Sequence, residues 1–141
     1  MIKIKNEDVK SIYLLSTTEA EKLPQWILAN GAFWWLRSRS SSNRFAGYAA
    51  VVYGTGVIDD EGFPVDRSFN IRPALRLKNL DTMNLKVGEV VEVFDRMAQY
   101  IGNNSVLLCE NISDSIFDRE SSNYRKSEIK KVVELWFEEK K

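Results

Sequence analysis

The segment from Trp34 to Leu77 constrains the fold of this chain more than any other part. It opens with the sequence WWLRS, closes with IRPALRL, and holds short runs of β-branched and aromatic residues separated by glycine and polar residues. Runs of this kind predict short strands joined by tight turns. Apolar ends with charged, hydroxyl and aromatic residues between them are typical of a scaffold that presents loops to a ligand.

The length and apolar content, 141 residues of which 44% are hydrophobic, suit one compact domain. We expect this domain to span residues 1–141, with the WWLRS and RPAL motifs in a half at 1–80 and a hairpin with a C-terminal helix in a half at 86–141. Twenty basic residues balance twenty acidic ones, so the net charge favours neither nucleic acid nor a membrane as partner. This overall balance still allows a local basic patch at Arg37, Arg39 and Arg44.

The N-terminal sequence MIKIKNEDVK lacks the apolar core of a secretory signal, and no apolar run approaches the roughly 18 residues of a membrane span. We therefore expect a cytoplasmic protein, with a place in a phage particle as an open alternative. The single cysteine, Cys109, permits no internal disulfide, which agrees with a reducing compartment.

The first thirty residues predict a strand followed by a helix. Ser11–Ser16 reads as a short buried strand, and Thr18 and Glu21 have the spacing of a capping box. A helix of about three turns should follow, limited or kinked by Pro24 and stopped at Asn30-Gly31.

The next forty residues have the period of strands. Tyr48–Tyr53 continues the β pattern, and Val57–Val65 predicts a hairpin around Asp60-Glu61-Gly62. Phe69–Leu77 alternates as one strand. Because proline cannot donate a hydrogen bond to a neighbouring strand, Pro73 places this strand at a sheet edge or marks a bulge.

The second half predicts a β unit followed by a helix. Lys78–Leu85 reads as a connector, and Gly88–Asp95 and Ser105–Glu110 predict a hairpin across Gly102-Asn103-Asn104. The polar stretch Asn111–Asn123 reads as a loop.

A C-terminal helix should begin at Ser127, a favoured N-cap residue. Its apolar residues recur with helical spacing and predict a core stripe rather than a partner surface. The stripe consists of Ile129, Val132, Val133, Trp136 and Phe137. The expected fold class is therefore α+β, with mixed or antiparallel sheets and two main helices.

The order SIYLLSTTEAE, WWLRS, a Gly/Tyr/Val-rich stretch and NIRPALRL resembles an uncharacterised bacterial and phage domain family marked by WWLRS and GVRPAL. That family is distantly similar to the formylglycine-generating-enzyme branch of the C-type-lectin-like fold. The resemblance covers residues 11–77 and implies a C-type-lectin-like architecture. Here Asn70-Ile71-Arg72 replaces the usual Gly-Val-Arg, a departure that keeps the arginine.

The second half resembles the segment that normally stands at the start of such domains. In this chain the sequences GEVVEVFD and NYRKSEIKKVVELWF come last. The chain is therefore predicted to be a circular permutant of the family arrangement, which is tolerated where native termini lie close together. The alternative is generic hairpin-plus-helix patterning.

The resemblance implies a noncatalytic binding module that presents the loops between Trp34 and Arg72 to a protein or glycan. Tyrosine and arginine suit such surfaces because they combine contact area with directional hydrogen bonds. The run from Arg39 to Arg44 could equally be a solvated loop. The implied ligand-binding residues are Arg39, Ser41, Asn43, Arg44, Phe45, Tyr48, Tyr53, Arg67 and Phe69.

The hallmark motifs themselves favour structural roles. In a strand Trp34 and Trp35 point to opposite faces, so at least one is predicted to lie in the core and only the other could stack on a ligand. Arg37 and Arg72 are expected to donate hydrogen bonds to loop carbonyls, with Pro73 as a further motif residue.

Catalysis is not expected. The chain has no histidine, which excludes a Ser-His-Asp triad, a Cys-His pair and histidine metal ligation. The formylglycine-generating enzymes use a cysteine pair, which one cysteine cannot reproduce. Cys109 in the apolar run VLLCE reads as an inert thiol. Asp59, Asp60 and Glu61 read as an acidic hairpin turn rather than a calcium site. No cofactor or metal is predicted.

Two further functional readings stay open. One is a small phage or prophage intracellular effector that inhibits a host protein, suggested by the short chain without a companion domain. The other, a hydrolase or redox enzyme, would need a deep pocket that holds Asp59, Asp60 or Cys109. The oligomeric state is left open.

Overall fold

Two β-sheets and three α-helices form a mixed α+β fold in the computed structural model, which describes residues 1–78 and 84–141. The predicted connector Lys78–Leu85 lies largely outside the described residues. In chain order the strands are β1 (Lys3–Ile4), β2 (Val9–Tyr13), β3 (Trp34–Arg39), β4 (Tyr48–Val52), β5 (Ile58–Pro64), β6 (Ser68–Ile71), β7 (Ala74–Leu77), β8 (Val90–Val93), β9 (Arg96–Gly102), β10 (Ser105–Leu108) and β11 (Ser113–Ile116). The α-helices are α1 (Thr17–Glu21), α2 (Gln25–Leu28) and α3 (Glu128–Lys140).

The six-stranded sheet has the order β1-β8-β9-β10-β7-β2, and its neighbours are antiparallel except for the parallel pair β1 and β8. The five-stranded sheet has the order β11-β6-β3-β4-β5, with one parallel pair, β3 and β6. Each sheet takes strands from both halves of the chain. The strand order therefore brings together residues that are far apart in the sequence.

The core lies on both faces of the two sheets. Trp34 and Leu36 of the five-stranded sheet pack with Leu107 of the six-stranded sheet and with α1 and α2. Trp35 packs on the opposite face, where Ile129 of α3 covers it. The far face of the six-stranded sheet packs against the end of α3.

Helix α3 forms because its sequence combines an N-cap with an apolar stripe. The Ser127 side chain accepts a hydrogen bond from the Lys130 backbone N–H, as its capping role predicts. Ile129, Val133 and Phe137 are buried, and the other two members of the predicted stripe are half-buried. The stripe is core, as predicted.

The predicted single helix after β2 is two short helices. The capping box uses Ser16 and Glu19, not Thr18 and Glu21, and β2 already ends at Tyr13. Pro24 is the N-cap of α2, so it begins a new helix instead of kinking a longer one. The fold consequently has one main helix within the described residues, not two.

Two strand predictions between residues 57 and 77 are wrong. Val57–Val65 is not a hairpin, because β5 runs through the acidic residues as one strand. Phe69–Leu77 is not one strand, because β6 and β7 belong to different sheets. Pro73 lies buried between them, and β7 is an interior strand, so the edge placement is wrong as well.

The second half forms a three-stranded meander in place of the predicted hairpin. Strand β9 lies between β8 and β10, so the two predicted strands do not pair with each other. The turns at Phe94-Asp95 and Asn103-Asn104 have positive φ at both positions, the geometry of tight type I′ hairpins. The predicted loop Asn111–Asn123 contains the edge strand β11.

Within the described residues, the helices include none with the length and apolar character needed to cross a membrane.

Candidate functional site

The two adjacent tryptophans are both core residues. Trp34 and Trp35 have no exposed surface and pack on opposite faces of the five-stranded sheet. The ring nitrogen of Trp34 donates to the carbonyl oxygen of Leu28 at 3.1 Å, and that of Trp35 donates to the carbonyl oxygen of Ser115 at 2.9 Å. Neither ring is free to stack on a ligand, so the option of one ligand-facing tryptophan is wrong.

The two hallmark arginines hold the scaffold together. Arg72 is 1% exposed, and its Nε and Nη1 donate to the carbonyl oxygens of Leu108 and Leu28 at 2.6 and 3.0 Å. Burial lowers the pKa of Arg72 to about 10, which leaves the guanidinium charged at neutral pH. Arg37 donates to the Leu14 carbonyl at 2.6 Å. Both arginines bond to backbone carbonyls, the role that their motifs suggest.

The end of β3 and the loop that joins it to β4 hold the first group of predicted binding residues. Arg39, Ser41, Asn43 and Arg44 are exposed. Hydrogen bonds anchor the loop: Ser41 N–H donates to the carbonyl of Asp60 at 2.9 Å. The Ser42 hydroxyl accepts from the Arg44 N–H at 3.2 Å.

An aromatic pair closes this loop. Phe45 stacks on Tyr48 with ring centroids 4.7 Å apart, and the Arg44 guanidinium lies 6.0 Å from the Phe45 centroid. The pair is half-buried. Its rings are therefore exposed to a smaller fraction than Ser41, Asn43 and Arg44 of the same loop.

A second aromatic group lies on the other face of the five-stranded sheet. We call Phe33, Tyr53, Phe63 and Phe69 the aromatic surface. Phe33 stacks on Tyr53 at 4.7 Å and on Phe69 at 5.8 Å between ring centroids, and Phe63 meets Phe69 edge-on at 5.0 Å. These separations are those of favourable aromatic pairs. Phe33 is 38% exposed and the other three are half-buried, so the cluster continues from the core to the solvent.

The polar edge of the aromatic surface is organised by Asp59. The Tyr53 hydroxyl donates to Asp59 Oδ2 at 2.6 Å, and Asp59 Oδ1 accepts from the Gly62 N–H at 2.9 Å. The hydrogen bond to Asp59, with a smaller effect of burial, raises the pKa of Tyr53. Asp59 therefore positions the tyrosine ring, and its acidic neighbours lie in β5 rather than in the predicted turn.

The backbone of Phe33 is held in the same way. The carbonyl oxygen of Phe33 accepts from the Asn70 backbone N–H at 3.1 Å and from its Nδ2 at 2.9 Å. The Asn70 side chain therefore braces the backbone that carries the exposed ring.

The predicted binding residues do not form one site, because they lie in separate parts of the structure. Tyr53 and Phe69 meet in the aromatic surface, whereas alternation along β4 puts Tyr48 on the opposite face. Arg67 is exposed in the turn between β5 and β6, where its N–H donates to the carbonyl of Pro64 at 3.1 Å.

Sequence reasoning missed Phe33 and Phe63. A period of two along β3 links Phe33 to the face of Trp35, because alternate residues share a face of a strand, and this signal could have found it. Phe63 gives no such signal, since its neighbours have the composition of a hairpin turn.

The Cys109 thiol and the acidic side chains are further groups in the described residues that could react or bind a metal ion. Burial raises the pKa of the Cys109 thiol, which disfavours the nucleophilic thiolate. Within residues 1–78 and 84–141 no group of three or more cysteine or acidic side chains is arranged to hold a metal ion.

Comparison with family models, with curated proteins and with solved structures finds no match for this chain. Its function is therefore inferred from its own surfaces.

Proposed function

We propose that this chain is a noncatalytic binding module that takes a protein or glycan ligand on the aromatic surface. The observation that carries the proposal is the stacked cluster of four rings, of which Phe33 is the most exposed. Aromatic rings exposed together are costly in water and mark contact surfaces more often than single exposed apolar residues do. Their mutual packing makes the surface rigid before any ligand arrives, which lowers the entropic cost of binding.

A protein ligand is favoured over a glycan by the composition of the surroundings. Aromatic residues and arginine are enriched at the centres of protein interfaces, with a polar rim around them. Arg67 lies exposed in the turn that precedes the strand of Phe69. It is the predicted binding residue that fits such a rim best.

We further propose that the scaffold is C-type-lectin-like and circularly permuted. The proximity of the chain ends supports permutation: Asn6 Nδ2 donates to the carbonyl oxygen of Lys140 at 3.2 Å. The mixed two-sheet α+β fold, the buried tryptophans of WWLRS and the buried RPAL motif agree with the resemblance.

The binding proposal is tested by capture with two matched variants. Phe33→Gln removes an exposed ring from the aromatic surface, and Leu135→Gln removes an exposed apolar side chain, 65% exposed, from α3. Wild type and both variants are immobilised and offered a bacterial lysate and, separately, a glycan array. A specific ligand should bind wild type and Leu135→Gln equally and should bind Phe33→Gln at least about tenfold more weakly, as expected for the loss of a central aromatic contact.

Equal binding to all three proteins would place the ligand elsewhere and reject the aromatic surface. A signal on the glycan array that depends on Phe33, with none from the lysate, would replace the protein ligand with a glycan.

A further inference from the structure

A cavity of about 250 Å³ opens on the six-stranded sheet beside α1, away from the ring contacts that form the aromatic surface. Residues from four strands and a helix build it. Tyr13 comes from β2, Glu19 from α1, Arg76 from β7, Ile101 from β9 and Ser105 from β10. Among its lining residues, Lys22, Arg76 and Val87 are exposed, so the cavity opens to solvent.

The strand register sets the polar groups of this cavity side by side. Ser105 lies opposite Arg76 on the neighbouring strand. The Arg76 guanidinium lies 5.2 Å from the centroid of the Tyr13 ring, and that of Arg37 lies 5.9 Å from it. These contacts hold the Tyr13 ring and orient the Arg76 head group at the cavity wall.

The Tyr13 phenol is a neutral hydroxyl in this setting. Burial raises its pKa above the usual value, and the nearby Glu19 carboxylate adds to the shift against the opposing effects of Ser105 and the two arginines. At neutral pH the wall therefore offers a hydroxyl here and no negative charge.

The one carboxylate among the described residues that line the cavity is already compensated. Glu19 Oε1 accepts hydrogen bonds from Arg37 and from the backbone N–H of Ser16. Burial alone would raise the pKa of Glu19, but these hydrogen bonds outweigh it and lower the pKa. Glu19 therefore stays charged and stays paired.

The cationic side chains of the cavity, unlike Glu19, are not paired with an opposite charge in the described part of the chain. None of the ion pairs in the described part of the chain uses Lys22 or Arg76. A second cavity, also about 250 Å³, shares Arg76 and Asn103 with the first and adds Lys10 and Lys78. Lys10 and Lys78 likewise take no part in an ion pair among the described residues, so the two cavities together are lined by four cationic side chains without such a partner there.

The rest of the first cavity is apolar. Leu15, Leu23, Val87 and Ile101 contribute to its lining. The cavity thus places apolar side chains beside several polar ones, and polar groups in a ligand pocket set the orientation of the ligand.

We propose that this cavity binds a small organic anion, with its carboxylate or phosphate against Arg76 and Lys22 and its apolar part against Leu23 and Ile101. Arginine favours both anions because its planar group donates paired hydrogen bonds to them. The site is independent of the proposed partner surface, since the two share no residue.

The test is an NMR titration of the isotopically labelled full chain with four probes: phenyl phosphate, benzoate, inorganic phosphate and the neutral benzyl alcohol. The backbone amides of Gly102, Asn103 and Ser105 report on the cavity. We expect saturable shifts at these amides with phenyl phosphate or benzoate, and much weaker effects with inorganic phosphate and benzyl alcohol. The stronger of the two aromatic anions tells whether phosphate or carboxylate is preferred.

Three variants accompany the titration. Arg76→Gln should weaken binding of the preferred anion at least about tenfold, because a charge-assisted hydrogen bond is lost. Lys22→Gln, at the exposed end of α1, should weaken it in the same direction and provides a second variant if Arg76→Gln does not fold. The matched control, Arg125→Gln, removes an exposed arginine outside the cavity and should bind as wild type does.

The proposal is overturned if neither aromatic anion saturates the amide shifts below about 10 mM, a concentration that corresponds to very weak binding. It is equally overturned if benzyl alcohol binds as well as the anions, or if the cavity variants bind no more weakly than Arg125→Gln.

Discussion

At the scale of single residues, the most consequential side chain is Arg72. It is a charged residue in a fully buried position, and it joins the end of α2 to the end of β10 through two carbonyl oxygens. Its guanidinium also lies 5.1 Å from the Trp34 ring centroid. A buried charge is stable only where such partners surround it. The RPAL motif thus stabilises the fold rather than forming part of a ligand site.

Replacing Arg72 should be costly. Arg72→Met removes both hydrogen bonds, and although Leu28 keeps its bond from Trp34, the Leu108 carbonyl loses this donor. We expect the free energy of unfolding to fall by about 3 kcal/mol, the scale of a charged hydrogen-bond network lost from the interior. Urea unfolding monitored by tryptophan fluorescence measures the change.

The control for this prediction is Arg67→Met, at an exposed arginine. Its unfolding free energy should stay within about 0.5 kcal/mol of wild type, as is usual for surface substitutions. If the two variants were equally stable, the buried hydrogen bonds of Arg72 would contribute nothing measurable to the fold.

The burial of both adjacent tryptophans could not be predicted from their motif. The sequence allows one of Trp34 and Trp35 to reach the surface, yet both are buried because each face of the five-stranded sheet is covered at that point. The alternation of side chains is a local property of a strand. Whether a face meets solvent depends on what packs against it, and no residue next to the tryptophans carries that information.

At the scale of elements, β5 explains why an apparent turn is a strand. The register between β4 and β5 shifts between Ala49 and Val51, and Gly62 has φ of +75°. A β-carbon at Gly62 would overlap with the backbone carbonyl of Ala49. Gly62 therefore allows a bulge that keeps the strand paired, where the sequence Asp-Glu-Gly suggests a reversal of the chain.

Gly62→Ala should accordingly destabilise the protein. The positive φ costs about 1–2 kcal/mol for a residue with a β-carbon, and the backbone overlap adds to it, so the total should be about 3 kcal/mol or more. Thermal and urea unfolding of the variant give the value.

Gly102→Ala separates the two contributions. Gly102 has φ of +92°, but a β-carbon at this position would meet nothing within 4 Å, so only the backbone cost applies. Its loss should be about 1–2 kcal/mol. Equal losses in the two variants would mean that the bulge relaxes and that the close approach to Ala49 is unimportant.

Strands β9 and β11 are missed by the sequence for different reasons. Strand β9 escapes prediction because its turn to β8 uses Phe94 with φ of +53°, a residue that seldom marks a turn. Strand β11 has the composition of a loop because its residues are mostly polar, but an edge strand pairs through its backbone. Backbone pairing leaves little trace in a polar sequence.

At the scale of the whole molecule, the chain ends meet. Asn6 contacts the carbonyl oxygen of Lys140, and helix α3 packs against both sheets. Adjacent termini are the condition under which a circular permutant keeps its fold. The proposed permutation can therefore be reversed by protein engineering.

In the reversed permutant, a linker of about six glycine and serine residues joins Lys141 to Met1, and the chain is opened between Leu85 and Lys86. This order is the one that the proposed permutation implies for the unpermuted domain. We expect it to fold with an unfolding temperature within about 4 °C of wild type, equivalent to a loss of about 1 kcal/mol. Circular dichroism and differential scanning calorimetry provide the measurement.

A second permutant with the same linker, opened between Val106 and Leu107, interrupts the interior strand β10. It should be unfolded or nearly so. A loss of structure in the first permutant as large as in this one would argue against the proposed permutation.

The sequence by itself determined the local features of this protein: the mixed α+β class, the capped helix α3 with its apolar stripe, and the opposite faces of the tryptophan pair. These follow from periodicity and capping, which involve neighbours in the chain. The lack of histidine likewise excludes histidine chemistry on the sequence alone.

Only the tertiary structure decided that β6 and β7 belong to different sheets and that Phe33 meets Phe69. It alone brought Tyr13, Arg76 and Ser105 together around one cavity. The physical reason is that strand order and sheet packing join residues tens of positions apart. These contacts form because burying the whole face of a sheet yields a net gain in folding free energy. A local pattern specifies which face of a strand is apolar, but not which distant face will cover it.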